Sequence, residues 1–150
     1  MRRALLLSSV LLLAACGGGE DEKAAFVEQA TAVCTEAAAQ EEVLVFPTAP
    51  AEFAPYAEAV VGIAEQAEAE LAGLELPEDD AEALRTRVLE PFSDVVDEGR
   101  AFAADVRAAG DDQAKLLPLL GQVPDAGEVD LEYLRSYGLD TCADVIDTSS

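Results

Sequence analysis

Apolar side chains recur every three or four residues along most of the chain, which is the spacing of one face of an α-helix. The first such stretch predicts a helix from Glu22 to about Glu42. Cys34 lies beside its apolar face, so the pattern places this thiol at the edge of the core. The face itself consists of Phe26, Ala30, Val33 and Ala37.

An apolar run from Val43 to Phe46 interrupts this helical pattern. It is strand-like, but a single short strand has no partner with which to form a sheet. Pro47 and Pro50 follow it and prevent a helix from continuing. We therefore expect an apolar crossover that lies on a helical bundle.

Two longer helices are predicted next, from about Ala51 to Gly73 and from about Asp79 to Ala109. The apolar face of the second of these continues in phase past Pro91, so we expect one kinked helix rather than two. The two faces are Phe53, Val60, Ala64, Ala67, Leu71 and Leu74, and Val88, Phe92, Val95, Gly99, Phe102, Val106 and Ala109.

Shorter elements fill the rest of the chain. Pro118 and Gly121 should keep a fourth segment, which begins at Asp111, short or irregular. A fifth helix is predicted from about Val129 to Tyr137, followed by Gly138 as its C-terminal cap.

A final turn is expected from Leu139 to Val145, and residues 147–150 should fray. The pattern as a whole predicts one all-α domain over residues 24–146. We expect a four-helix-type bundle with a short extra C-terminal helix.

The charge of the chain narrows its possible functions. Nine basic residues stand against 31 acidic ones, giving a formal net charge of −22. Nucleic acid is not expected as a partner, because its phosphates would be repelled. The chain contains no His, so histidine metal sites and Ser-His or Cys-His nucleophiles are impossible.

The N-terminal residues have the pattern of a targeting segment over residues 1–15. Arg2 and Arg3 precede an apolar run, Ala4 to Leu13, that is too short to span a bilayer. The sequence Leu13-Ala14-Ala15-Cys16 resembles the lipobox of bacterial lipoprotein signal peptides. That resemblance implies that Cys16 is lipidated and becomes the mature N-terminus, while an ordinary cleaved signal peptide is the alternative.

Residues 16–23 then form the lipidated cysteine and a flexible, Gly-rich tether. With Cys16 lipidated, Cys34 and Cys142 remain as a pair. An exported compartment is oxidising, so this pair predicts a disulfide that closes the bundle. Two free buried thiols are the alternative.

Several elements together resemble the small Ala-rich lipoproteins of high-GC actinobacteria, most of which are uncharacterised. The resemblance implies a helical bundle outside the cytoplasm and implies no activity. It is carried by the lipobox, by Phe26 with Cys34 eight positions later, by Leu74-Glu75-Leu76-Pro77, and by Tyr137-Gly138-Leu139-Asp140-Thr141-Cys142-Ala143.

The sequence gives only weak indications of a catalytic, metal or ligand site. Pairs of acidic residues are so frequent that a close pair indicates an acidic surface rather than a hydrolytic site. No metal site is expected, since the spacing of a calcium loop is absent. No cofactor is predicted. A ligand pocket, if present, would be lined by Phe53, Phe92, Phe102, Tyr133 and Tyr137.

We therefore expect a non-catalytic cell-envelope lipoprotein. Its monomeric head would be anchored to the cell membrane by lipid, on the extracytoplasmic side, and would bind another envelope protein. Such an interaction module should expose an apolar patch. A carrier of a small apolar or lipidic ligand is the alternative, and it should instead have an enclosed apolar pocket.

Overall fold

The computed structural model describes residues 18–148, and no strand occurs among them. The predicted all-α bundle is confirmed, as is the disulfide between Cys34 and Cys142. The helices are α1 (Gly18–Glu42), α2 (Phe53–Ala72), α3 (Ala81–Leu84), α4 (Glu90–Ala109), α5 (Gln113–Leu119), α6 (Leu131–Tyr137) and α7 (Asp140–Thr148), with a 3-10 turn at Pro50–Glu52 and a π-helical turn at Arg85–Leu89.

The long helices run up and down the bundle. α2 returns antiparallel to α1 after the crossover, and α4 is antiparallel to α2. Ion pairs join Arg107 to Glu58 and Arg100 to Glu65, so the end of α4 lies beside the start of α2. We call this end, which also contains the end of α1 and all of α5, the crossover end.

The buried face of α4 differs from the prediction at two positions. Val96 and Ala103 are buried, whereas Val95 and Phe102 are only partly buried. α2 and α4 approach closely at Gly99, where an added Cβ would lie 3.3 Å from Val61 Cγ2. This close approach favours the small Ala103 between the helices, and the larger Phe102 ring packs at the edge of the same cluster.

Pro91 does not end the helix, since α3, the π-helical turn and α4 are continuous, so the prediction of one helix rather than two is confirmed. Proline has no backbone N–H, so it cannot bond the carbonyl of Arg87 four residues earlier. The backbone N–H of Asp130 donates to that carbonyl instead, at 3.0 Å. The Arg87 guanidinium also binds the Asp130 carboxylate, with Nε to Oδ2 at 3.0 Å. The π-helical turn that contains Arg87 is thereby tied to the start of α6.

The C-terminal segment is more regular than predicted. Instead of a turn from Leu139 to Val145 and a frayed tail after it, α7 continues to Thr148. Gly138 ends α6 with a φ of 101°, and the N–H of Leu139 donates to the carbonyl of Leu134 at 2.9 Å. This cap turns the chain so that α7 packs along α1, and that contact supports a full helix.

The predicted flexible tether is wrong from residue 18 onward, because α1 begins at Gly18. Tertiary contacts hold its first turns. Glu22 accepts a hydrogen bond from the N–H of Glu78 at 3.5 Å, and Lys23 Nζ lies 4.0 Å from the centre of the Tyr137 ring. Residues 1–17, with the predicted signal peptide and Cys16, and residues 149–150 lie outside the described part of the chain.

No helix in residues 18–148 has both the length and the apolar composition required to cross a bilayer.

Candidate functional site

Three apolar side chains of the crossover face solvent. Val43 is 76% exposed, Val45 84% and Phe46 70%. We call these three residues the crossover patch. The expectation that the crossover lies flat on the bundle holds only for Leu44, which packs against the core, and for Pro47, which is buried.

An open groove lies beside the crossover patch. Its volume is about 360 Å³, which is within the usual range of ligand-sized sites. Its lining combines apolar side chains with the hydroxyls of Thr48 and Tyr56 and the carboxylate of Glu52. The lining residues are Leu44, Val45, Thr48, Glu52, Pro55, Tyr56 and Ala59.

Specific contacts fix the patch and the groove in place. The rings of Phe46 and Tyr56 meet edge to face, with centroids 5.6 Å apart. Glu52 Oε2 accepts hydrogen bonds from the N–H of Thr48 at 2.7 Å, from its hydroxyl at 3.1 Å and from the N–H of Ala49 at 3.0 Å. These bonds, chiefly the one from the Thr48 N–H, lower the pKa of Glu52 below its usual value.

The surroundings of the patch are acidic. No Lys or Arg occurs between Lys23 and Arg85, so α1 after its first turns, the crossover and α2 contribute no positive charge. Glu42 is exposed next to Val43, and Glu52 lines the groove. The arginines of α4 reach acidic residues of α2 and offset only part of this charge.

A second exposed apolar segment lies at the same end of the molecule. Leu117 is 60% exposed, Val123 49% and Leu120 40%. Their neighbour Leu116 is buried in a cluster with Ala57 and Val106, so α5 packs at the crossover end. The crossover patch and the exposed Leu117 and Leu120 therefore lie at one end of the bundle.

The five residues predicted to line a ligand pocket are not brought together. Phe92, Tyr133 and Tyr137 belong to the main core, whereas Phe53 and Phe102 pack against a separate, smaller cluster. None of the five lines the groove. The sequence pattern failed here because helical spacing shows which face of a helix is apolar, not which helices meet.

Tyr133 and Tyr137 instead form part of a clamp between elements. Their ring centroids are 5.5 Å apart, and the guanidinium of Arg87 lies 4.2 Å from the centre of the Tyr133 ring. The Tyr137 hydroxyl donates to Asp80 Oδ2 at 2.8 Å. Burial, together with this hydrogen bond, raises the pKa of Tyr137 above its ordinary value. This clamp joins α6 to the start of α3.

The Tyr-Gly-Leu-x-x-Cys-Ala element has a structural role. Tyr137 closes the clamp, and Gly138 supplies the left-handed cap. Leu139 and Ala143 are buried, and Cys142 is bonded to Cys34 with their Cα atoms 5.0 Å apart. Each of these five residues thus contributes to the packing or capping where α6, α7 and α1 meet.

Within residues 18–148, no group of three or more cysteine or acidic side chains is arranged to hold a metal ion. Of the acidic pairs in the sequence, Asp97 with Glu98 and Asp111 with Asp112 lie on exposed surface, whereas Asp80 is partly buried against Tyr137. Asp97, for example, pairs with Arg100, and Asp112 caps α5 and lies 3.5 Å from Lys115 Nζ. These carboxylates carry out structural pairing and capping.

Comparison with known proteins finds no matching family model, no matching curated protein and no matching solved structure, so the crossover patch and its groove stand on their own geometry as the candidate site.

Proposed function

We propose that this protein is a non-catalytic interaction module of the cell envelope, anchored through a lipid on Cys16 to the extracytoplasmic side of the cell membrane. The observation that carries the interaction role is the crossover patch, in which three exposed apolar side chains border a groove of about 360 Å³. The anchor rests on the lipobox-like sequence that ends at Cys16.

Exposed apolar clusters of this kind favour binding of another protein. Isolated apolar residues are common on surfaces, but adjacent ones beside a concavity mark contact sites. Aromatic residues contribute strongly to binding energy, and here Phe46 and Tyr56 already support each other before any partner arrives. Such preorganisation lowers the entropy lost on binding.

The distance between the anchor and the patch also supports this role. The 25 residues of α1 separate Gly18 from the crossover. At a rise of 1.5 Å per residue, that helix is about 37 Å long. A lipid on Cys16 would therefore leave the patch on the far side of the head, within reach of other envelope proteins rather than of the anchoring membrane.

The anchor is tested by replacing Cys16 with Ala in an exporting host. We expect the wild-type protein in the membrane fraction and the Cys16→Ala protein in the soluble exported fraction. Metabolic labelling with palmitate should mark the wild type and leave the variant unlabelled. A variant that remains in the membrane fraction would show that the anchor lies elsewhere.

The interaction role is tested by site-specific photo-crosslinking in the same host. A photoreactive side chain at Val45 should give a discrete higher-mass adduct. The same group at Ala104, an exposed position on α4, is the matched control and should give none. Absence of an adduct at Val45, or equal adducts at both sites, would contradict binding through the crossover patch.

A carrier of a small apolar or lipidic ligand is a second candidate. The mainly apolar lining of the groove favours it, whereas the groove is open to solvent and not the enclosed pocket expected of a carrier. Native mass spectrometry of protein purified from an exporting host separates the two. A reproducible non-covalent mass that is lost on denaturation supports the carrier. A bare protein supports the interaction module.

A further inference from the structure

We propose that the groove receives a large apolar side chain of a partner polypeptide whose flanking residues are basic. This inference rests on the proposed interaction role and names the chemistry of the partner. It follows from the lining of the groove, from the charge around it and from its place on the molecule.

The lining of the groove favours an apolar insert. Leu44, Val45, Pro55, Tyr56 and Ala59 supply most of its walls. Besides the Tyr56 hydroxyl, the lining has two polar residues, and these are already engaged with each other, because the Thr48 hydroxyl and N–H both donate to Glu52 Oε2. An apolar side chain would therefore be buried there without leaving these groups unsatisfied.

The acidic charge around the groove favours basic partner residues on either side of the inserted side chain. The patch borders Glu42, the groove contains Glu52, and no basic residue lies between Lys23 and Arg85. Lysine or arginine beside the inserted side chain would gain favourable interactions along this rim. A second copy of a chain with a net charge of −22 would be repelled, and so would an anionic lipid surface.

The test uses the full chain in detergent micelles and three fluorescein-labelled peptides. The first has a Leu-Phe core flanked by lysines, the second has the same core flanked by glutamates, and the third has a Ser-Gly core flanked by lysines. We expect the first to bind at least tenfold more tightly than the other two in fluorescence anisotropy. Raising the salt concentration should weaken that binding, because charged rims are screened.

Matched double variants locate the site. Val45→Ser with Phe46→Ser removes two exposed side chains of the crossover patch, and it should weaken binding of the first peptide at least tenfold. Leu117→Ser with Leu120→Ser makes the same chemical change at the second exposed segment and should leave binding unchanged. Because all four positions are exposed, circular dichroism melting should show both variants folded as the wild type is.

Several results would overturn the inference. If the glutamate-flanked peptide bound as tightly as the lysine-flanked one, charge would have no role in binding. If the Ser-Gly peptide bound as tightly as the Leu-Phe peptide with the same lysine flanks, the groove would not receive an apolar side chain. Binding of phosphatidylglycerol vesicles that is lost in the Val45→Ser, Phe46→Ser variant would identify a lipid surface instead.

The two proposals fail separately. If no peptide binds but a Val45 cross-link still forms in cells, the partner chemistry is wrong and the interaction role stands. If no peptide binds and no cross-link forms, both are wrong. Binding of the lysine-flanked apolar peptide at the crossover patch supports both.

Discussion

Glu52 accepts three hydrogen bonds through a single oxygen, and those bonds set the path of the chain between Thr48 and α2. The spacing resembles a capping box, in which a glutamate reaches back to the N–H three residues earlier. Here the residue at the cap position is Ala49, so the glutamate alone performs the capping. This one side chain therefore supports the floor of the groove.

The protonation of Glu52 should be visible at that loop. Its pKa is lowered from the ordinary value of 4.5, first of all by the Thr48 N–H. A lowered pKa means that the stabilisation is fully present above pH 4.5 and is lost as the pH falls through the folded-state value. In an NMR titration, the Thr48 amide proton should shift with a midpoint below 4.5 in the wild type, and this transition should be absent in Glu52→Gln. A midpoint at or above 4.5 would contradict the hydrogen bonds from Thr48 and Ala49 to Glu52.

Tyr137 provides a second test at the scale of one side chain. Tyr137→Phe removes the hydroxyl that donates to Asp80, and a hydrogen bond to a charged group contributes about 1.5 kcal/mol or more. We expect urea denaturation to show that the free energy of unfolding of Tyr137→Phe is lower than that of the wild type by about this amount. The control Tyr56→Phe, at a half-buried position of the open groove, should change the free energy of unfolding by less than about 0.5 kcal/mol.

The stability that Tyr137 contributes beside Asp80 should change with pH in one direction only. The pKa of Tyr137 is raised, chiefly by burial and then by the hydrogen bond to Asp80. Its contribution to stability is therefore complete below the ordinary tyrosine value of 10.0 and declines as the pH rises above it. The stability advantage of the wild type over Tyr137→Phe should shrink in alkaline solution. An advantage that grows instead would show that the hydroxyl is not held in its neutral form.

At the scale of elements, the π-helical turn before Pro91 and the cap at Gly138 determine how α6 and α7 return to the bundle. The free carbonyl of Arg87 receives the N–H of Asp130, and the Asp130 side chain in turn caps α6 by accepting from the N–H of Tyr133. The pKa of Asp130 is lowered by that backbone bond and by Arg87. A helix irregularity thereby becomes an attachment point for the next element.

Replacing each of two glycines with alanine should change the free energy of unfolding in opposite directions. Gly138 has a φ of 101°, a conformation that L side chains rarely adopt, although its nearest contact leaves room for a Cβ. Gly138→Ala should therefore destabilise the protein by about 1–2 kcal/mol. Gly62 lies within α2, where an added Cβ meets nothing within 4 Å, so Gly62→Ala should stabilise by up to about 1 kcal/mol. Chemical denaturation measures both, and equal signs would contradict the cap.

At the scale of the whole molecule, the disulfide and the distribution of apolar surface define two ends. The disulfide joins α1 to α7 across 108 residues and lies within the main core. The crossover patch and the exposed Leu117 and Leu120 lie instead at the crossover end. The disulfide thus holds α7 against α1. The crossover patch lies where α1 ends.

Removing the disulfide should lower stability without removing the fold. In the chain-entropy model, a closed loop of about a hundred residues contributes about 4.7 kcal/mol. We expect the double variant Cys34→Ala, Cys142→Ala to keep its helical circular dichroism spectrum while losing about 3–5 kcal/mol in urea unfolding. Binding at the crossover patch should be retained under native conditions. A loss below about 1 kcal/mol would show that the reduced chain is already constrained by other means.

Sequence alone determined the helical class, the bounds of the long helices to within a few residues and the pairing of Cys34 with Cys142. These properties depend on local periodicity, on proline and glycine, and on cysteine number, all of which are visible along the chain. Only the tertiary structure decided that α1 starts at Gly18, that Val43, Val45 and Phe46 face solvent, and that the predicted pocket rings separate into two clusters. Each of these depends on contacts between residues far apart in sequence, and periodicity along one helix carries no information about its neighbours.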